Sequence, residues 1–547
     1  MKMILTSRSG RIPDSSNFSL TLWLLAVCLI FRLNPQAFSA ASQGRAEHVV
    51  VVVWDGMRPD FVTPEHTPTL YRLAQSGTFF RNHHPVYVSS TEANGTALAT
   101  GALPEHSGIF ANKEYQPDIR RHKPVGTEDL EVVRRGDLLT HGHYLGMPTL
   151  AEIIQRAGFC TAVAGTKSVA LLLDRSDERT WGAARASVNL FKGSVLPASA
   201  MAGLIAANAG QTFPAKVTFP NLAQDAWTTR ALSCGMWNND VPKLSLLWLS
   251  DPDYSQHEHG PGAPTAISAI ESADRNLAKV LAALDEHGVR DRTDVFVVSD
   301  HGFSTVERGI DVTALLNKAG FNADNAFDHP QPGDILVVGL GGSVSLYVSG
   351  HDPETIRKLV RFFQDSDFAG VIFSRIHIGG TFLLKEVRLD VPNAPDLLVS
   401  LRWNSGTNKF GVPGLLVAES GKPGRGTHSS LSPFDMHNTL VAAGPDIRAA
   451  FDDELPTGNI DVGPTILWIL GLSPPKPMDG RILQEALVEQ EPPKAKPKQR
   501  TITASHRGKK SSWTQCLKVV NMGPTIYFDE GYGVSYIKGQ PSPENPP

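Results

Sequence analysis

The chain has 547 residues, 41% hydrophobic and 19% charged, enough to bury a large core and to hold more than one domain. Its 51 basic and 55 acidic side chains leave a formal charge of −4, which argues against nucleic-acid binding by bulk electrostatics. Four cysteines without a CxxC or Cys/His zinc spacing argue against a structural thiolate site.

The N-terminus reads as an export signal. Lys2, Arg8 and Arg11 form a basic region, Leu20 to Phe31 is an uncharged apolar stretch, and small residues follow up to an expected cleavage point near Ala40. The competing reading is an uncleaved anchor, which would tie the protein to a membrane; the stretch is short for a spanning helix. With residues 1–40 as signal, the protein is expected in the periplasm or outside the cell. Cys28 falls inside the signal. Cys160, Cys234 and Cys516 remain, and one disulfide among them is open in an oxidising compartment.

From residue 47 strands alternate with helices. HVVVVVWD is a continuous β-branched run, the pattern of a strand covered on both faces. TPTLYRLAQSGTFF and MPTLAEIIQRAGF read as helices closed by glycine, the second followed by the strand CTAVAG. KLSLLWLSDPD is a strand ending in acids, AISAIESADRNLAKVLAALDEHG a long amphipathic helix, and DVFVVSDHG the next central strand. This alternation predicts a mainly parallel α/β sheet sandwiched by helices, its first part spanning 47–302. Short strands around one helix (SVSLYVSG, PETIRKLVRFFQDS, AGVIFSR, DLLVSLRW) predict an inserted α+β cap over 303–420. The core resumes over 421–485. A Pro/Lys-rich stretch, 486–510, reads as a solvated linker, and 511–547 as a small β appendage.

The chemistry lies at the strand ends. Asp55 closes the first strand, Asp253 and His257 sit in SDPDYSQHEHG, Asp300 and His301 in VVSDHG, His428 in GRGTHSS, and Thr91 in SSTEANG. Alone, Asp55-Gly56 reads as a helix cap, Asp300-His301-Gly302 as a turn, and Asp253/His257 as an i, i+4 ion pair. Together they follow one logic. Ligands of an open α/β sheet bind past the carboxyl ends of its strands, so these residues converge on one rim. Aspartate and histidine without cysteine suit two borderline cations such as Zn²⁺, and a hydroxyl beside them is a nucleophile for phosphoryl transfer. His83, His84, His141, His143 and His259 are expected at the surface or behind the ligands.

In these motifs and their order the chain resembles the alkaline phosphatase superfamily, most closely its nucleotide pyrophosphatase/phosphodiesterase branch, over roughly residues 47–480. The resemblance implies Asp253, His257 and His428 as ligands of one zinc, Asp55, Asp300 and His301 as ligands of the other, and Thr91 as the nucleophile bridging both. It selects Thr91 over the neighbouring Ser89 and Ser90, and places Asn112 where the family binds a phosphoryl oxygen. The expected activity is hydrolysis of a phosphodiester or pyrophosphate bond in a small phosphate ester, a nucleotide or another, through a phospho-threonine intermediate.

Two departures bear on substrate. Glu92-Ala93 stand where the branch carries Phe-Pro, which bears on base stacking. In GTKSVALLLDR, Lys167 matches the lysine of a related phosphomonoesterase K-x-R segment, with Val169 in place of its arginine. Lys167 therefore reads either as a substrate contact of a phosphomonoesterase or as a solvated lysine. A non-catalytic exported binding protein on the same fold is the alternative of a different class.

Overall fold

The computed structural model describes residues 44–176, 182–508 and 511–537. The expected signal over 1–40, with Cys28, lies outside the described residues. None of the described helices is long and apolar enough to cross a membrane.

A nine-stranded sheet forms the centre. Its strands in chain order are β1 (His48–Trp54), β2 (Thr78–Phe80), β3 (Thr161–Gly165), β4 (Val188–Phe191), β5 (Ser194–Leu196), β6 (Leu244–Leu249), β7 (Thr293–Val298), β8 (Leu440–Ala443) and β9 (Phe451–Asp453). They lie side by side as β9-β2-β8-β7-β1-β6-β3-β4-β5. The stretch from β7 through β1, β6 and β3 to β4 is parallel throughout, as the continuous apolar runs predict. The antiparallel pairings are β7 with β8, β8 with β2, and β4 with β5.

Every residue of β1 is buried. Alternation of side chains divides them: Val49, Val51 and Val53 join Leu98, Leu246 and Phe296 on one face. Val50, Val52 and Trp54 join Leu70, Ile270 and Leu277 on the other. Each fully buried valine contributes about 1.5–3 kcal/mol, so this strand anchors both layers. The helix Pro264–Glu286 buries Ile270, Ala273, Leu277, Val280 and Leu284, one face of a 3.6-residue period. A capping box between Thr149 and Glu152 starts the helix Leu150–Arg156.

The insertion carries two sheets. A six-stranded sheet includes Ile335–Gly339, Ser343–Val348, Ala369–Ser374 and Leu397–Leu401, and it is covered by the helix Pro353–Gln364 through Ile356, Leu359, Val360 and Phe363. A four-stranded sheet pairs Ser304–Ile310 with Gly426–Thr427, bringing the returning chain back beside the strand that left.

The C-terminal region corrects one expectation and bears out another. Residues 498–507, expected as part of a linker, form the strand Lys498–Arg507, antiparallel to Ser511–Met522, which pairs in turn with Thr525–Ile537. Linker composition describes the exposure of that edge strand but misses its ten paired residues. The small β appendage expected after it is present as the hairpin of this sheet, and it packs on the core. Leu517, Val519, Ile526 and Phe528 pack in one cluster with Val88, Phe110, Val371 and Leu398. Cys160, Cys234 and Cys516 are not bridged to one another.

Candidate metal centre

The parallel strands deliver the acidic groups to one rim. Asp55 follows β1 directly and Asp300 stands two residues past β7. Asp253 opens the helix Asp253–His259 after β6, so Asp253 and His257 share a helix face. Asp225 sets the turn between them by accepting the N–H of Ser250 at 2.8 Å. Thr91 is the first residue of the helix Thr91–Thr100, all of it buried. Gly95 lets that helix settle onto the sheet, because a Cβ there would fall 2.5 Å from Val169 Cγ2 and 3.2 Å from the Trp248 ring.

Each of the three carboxylates has one satisfied oxygen and one orphan. Asp300 Oδ1 accepts from the N–H of Gly56 at 2.9 Å and of His301 at 3.0 Å, while Oδ2 has no hydrogen-bond partner. Asp55 Oδ2 accepts from the Trp248 indole at 2.7 Å, while Oδ1 is orphaned. Asp253 Oδ2 accepts from Lys167 Nζ at 2.9 Å, while Oδ1 is orphaned. All three side chains are at most 1% exposed, and buried polar atoms left without partners are costly.

The imidazoles face those orphans. His301 donates from Nδ1 to Gly302 O, His428 to Ser89 O and His257 to Gly426 O, at 2.9, 2.9 and 3.0 Å. Each Nδ1–H is committed to a carbonyl, which turns each Nε2 toward the carboxylates, a lone pair in the neutral ring. His301 Nε2 lies 3.2 Å from Asp300 Oδ2 and 3.8 Å from Asp55 Oδ1. His257 and His428 place Nε2 at 3.2 and 3.7 Å from Asp253 Oδ1. The donors of Asp55, Asp300 and His301 form one compact group, and those of Asp253, His301 and His428 another. Tetrahedral zinc with bonds of about 2.0–2.1 Å keeps its ligands roughly 3.3 Å apart, so the donor set fits such ions.

Electrostatics agree. Burial, with Asp300 adding to it, pushes the Asp55 carboxyl well above the usual range. Burial would do the same to Asp253, but Lys167 and His257 hold it well below. One lysine cannot neutralise three buried carboxylates, and cations are the natural complement. Burial, then the neighbouring His301 and His257, pushes His428 well below the ordinary imidazole value, the neutral form a metal needs.

Thr91 Oγ1 sits 3.3 Å from His301 Nε2 and 3.4 Å from Lys167 Nζ. Asn112 accepts from the N–H of Glu92 at 3.1 Å. Lys167 is not a solvated lysine: its side chain is 12% exposed, and Nζ also lies 3.0 Å from Asp55 Oδ2. Ser89 donates its hydroxyl to Ser430 O. His83 and His84 are buried, not at the surface. His83 Nε2 contacts Asn459 Oδ1 at 3.0 Å, and Asn459 donates to the backbone carbonyl of Asp300 at 2.7 Å, so His83 stands behind the main chain of that residue. His141, His143 and His259 are exposed.

Sequence reasoning missed Trp248 on Asp55, Tyr254 whose ring lies 5.1 Å from Lys167 Nζ, and the acid pair Glu92 and Glu128. Burial, and then Glu128, pushes Glu92 well above the carboxylate range. Only a polar residue in place of the branch's Phe-Pro pointed to that pair.

A mixed α/β sheet with buried Asp/His donors at its carboxyl rim is an architecture that can hold metal ions at one site. The profile of the type I phosphodiesterase / nucleotide pyrophosphatase family matches residues 49–378, and the chain belongs to that family. It is 24% identical over 253 residues to mouse ectonucleotide pyrophosphatase/phosphodiesterase family member 1, covering 45% of this chain and 23% of that protein. It is 22% identical to the bis(5'-adenosyl)-triphosphatase of Xenopus laevis over 436 residues, 78% of each chain. The chain thus spans about a quarter of the length of the first of these relatives and most of the second. The solved structure of an inactive murine ectonucleotide pyrophosphatase/phosphodiesterase 5 in complex with AMP superposes with a TM-score of 0.56 at 17% identity, covering 81% of this chain and all of that one. The human protein of the same name gives 0.57 at 16% identity, with the same coverage.

Proposed function

We propose that this protein is an exported two-zinc phosphohydrolase that cleaves phosphodiester or pyrophosphate bonds through Thr91. The observation that supports this best is the Thr91 hydroxyl standing beside His301, amid carboxylates whose orphan oxygens face imidazole lone pairs. Asp55, Asp300 and His301 would hold one ion, and Asp253, His257 and His428 the other. The bound ions supply positive charge that lowers the hydroxyl pKa and draws electron density from the phosphoryl oxygens.

The residues do the rest. Thr91 stands at the first turn of a ten-residue helix, where the dipole favours an alkoxide and then a phosphoryl group. Its Oγ1 gives its proton to solvent and attacks phosphorus in line, forming a Thr91 O–P bond as the bond to the leaving oxygen breaks; that oxygen takes a proton from solvent. Water then attacks phosphorus on the opposite side, the Thr91 O–P bond breaks, and the product leaves with the hydroxyl restored. Asn112 uses its Oδ1 on the Glu92 N–H, which keeps its amide group for an equatorial oxygen. Trp248 fixes Asp55 by its indole bond.

A phosphomonoesterase is the second reading, favoured by Lys167 reaching within 3.4 Å of Thr91 Oγ1. Val169, at the arginine position of the monoesterase segment, is fully buried and offers no charge. The test is kcat/KM of the zinc-loaded protein and its Thr91→Ala variant on bis-p-nitrophenyl phosphate and p-nitrophenyl phosphate. Diester preference that collapses in Thr91→Ala supports the proposal. Monoester preference transfers the assignment to the second reading, and absence of turnover on both with zinc bound overturns it in favour of a binding protein.

A further inference from the structure

A second group of metal-type donors lies apart from Thr91. His84 is on the bridge His83–His84, His437 follows the turn Pro433–Met436, and Asp529 is on the strand Thr525–Ile537. Their donor atoms all lie within 4.8 Å of one another. His437 Nε2 is 3.2 Å from Asp529 Oδ1 and His84 Nε2 is 3.7 Å from it, separations close to the roughly 3.3 Å of tetrahedral zinc ligands.

The rings are prepared as those around Thr91 are. His84 donates from Nδ1 to Thr457 O at 2.9 Å and His437 from Nδ1 to Pro433 O at 3.0 Å. Both Nε2 atoms are thereby turned toward Asp529, and each offers a lone pair when its ring is neutral. An ion pair of His437 with Asp529 would explain two of the three groups. It leaves His84 Nε2, on a residue 1% exposed, without a hydrogen-bond partner. A divalent cation accounts for all three. Two imidazoles and a carboxylate select zinc or a similar first-row ion over magnesium or calcium, which prefer all-oxygen shells. His437 and Asp529 remain 26% and 19% exposed, so water can reach a fourth position.

We propose that His84, His437 and Asp529 bind a structural divalent cation of the zinc class, separate from the pair at Thr91. Such an ion would staple three segments distant in sequence and fasten the C-terminal hairpin to the core, since structural zinc contributes folding free energy directly. The Tyr527 ring stacks on His84 at 5.6 Å, and its hydroxyl donates to Asp461, holding the hairpin in register beside the site.

Anomalous diffraction from zinc-soaked crystals of the wild-type full chain, recorded on both sides of the zinc edge, tests this without a variant. A peak between the three side chains is expected. Crystals with no peak there overturn the proposal, whatever is found beside Asp55 and Asp253, so its failure is distinct from failure of the two-zinc reading. In solution, after dialysis against zinc and removal of excess, His84→Gln and Asp529→Asn should each carry one zinc fewer than wild type. Folded variants with unchanged zinc content would show that the group is only an ion pair with a buried neighbour.

Discussion

Lys167→Met separates the role of the lysine from that of the cations. Lys167 Nζ lies 2.9 Å from Asp253 Oδ2 and 3.0 Å from Asp55 Oδ2. At an effective dielectric of about 20 each attraction is about 5 kcal/mol, offset in part by the cost of desolvating three buried charges. Removing one partner of a buried pair typically costs about 3–5 kcal/mol, because the remaining charge is stranded. With zinc chelated, Lys167→Met should lose about that much in urea unfolding. With zinc bound, cations neutralise the same carboxylates and the loss should shrink to below about 1 kcal/mol. The paired measurement is denaturation of both proteins in excess chelator and in saturating zinc. An equal loss in both media would refute the idea that lysine and cations compensate the same carboxylates.

Other outcomes follow from single contacts. Trp248→Phe keeps the ring but removes the 2.7 Å bond to Asp55, and should weaken zinc binding about 10–100-fold in competition with a chelating dye. Asp294 lies at the far end of β7 from the cluster, and burial with the neighbouring Asp446 pushes its carboxyl up to about 8. The folded value lies above the unfolded one of about 3.9. Its contribution to stability is therefore full below pH ~4 and is lost as pH rises toward 8, with a limiting slope of about 1.4 kcal/mol per pH unit. Asp294→Asn puts a permanent donor in place of that proton and should flatten the decline, read from unfolding curves between pH 4.5 and 8 (a range set by those two values).

The sheet and its rim were legible because their signals are local. HVVVVVWD and DVFVVSDHG are buried runs ended by a carboxylate, and a parallel sheet gathers such ends without further information. The SSTEANG frame pointed to Thr91, which stands beside His301 and Lys167. What orients the groups was not. Trp248 looked like one more apolar residue of a strand, yet its indole fixes Asp55. Lys167 read as a substrate contact or a solvated side chain, and its ion pairs with Asp55 and Asp253 depend on how β3 and β6 deliver it. His84, His437 and Asp529 are scattered over most of the chain and only the hairpin packing assembles them. The 498–507 strand was hidden because an exposed edge strand has the composition of a linker.

Trapping the covalent intermediate tests the central claim most directly. Zinc-loaded protein would be mixed with bis-p-nitrophenyl phosphate, quenched in acid during turnover, digested and analysed by mass spectrometry. The account predicts a phosphoryl adduct, still carrying one p-nitrophenyl arm, on Thr91, and its loss with roughly a thousand-fold or greater fall in kcat for Thr91→Ala. An adduct on Ser89 or Ser90 instead, or undiminished turnover in Thr91→Ala, would contradict it.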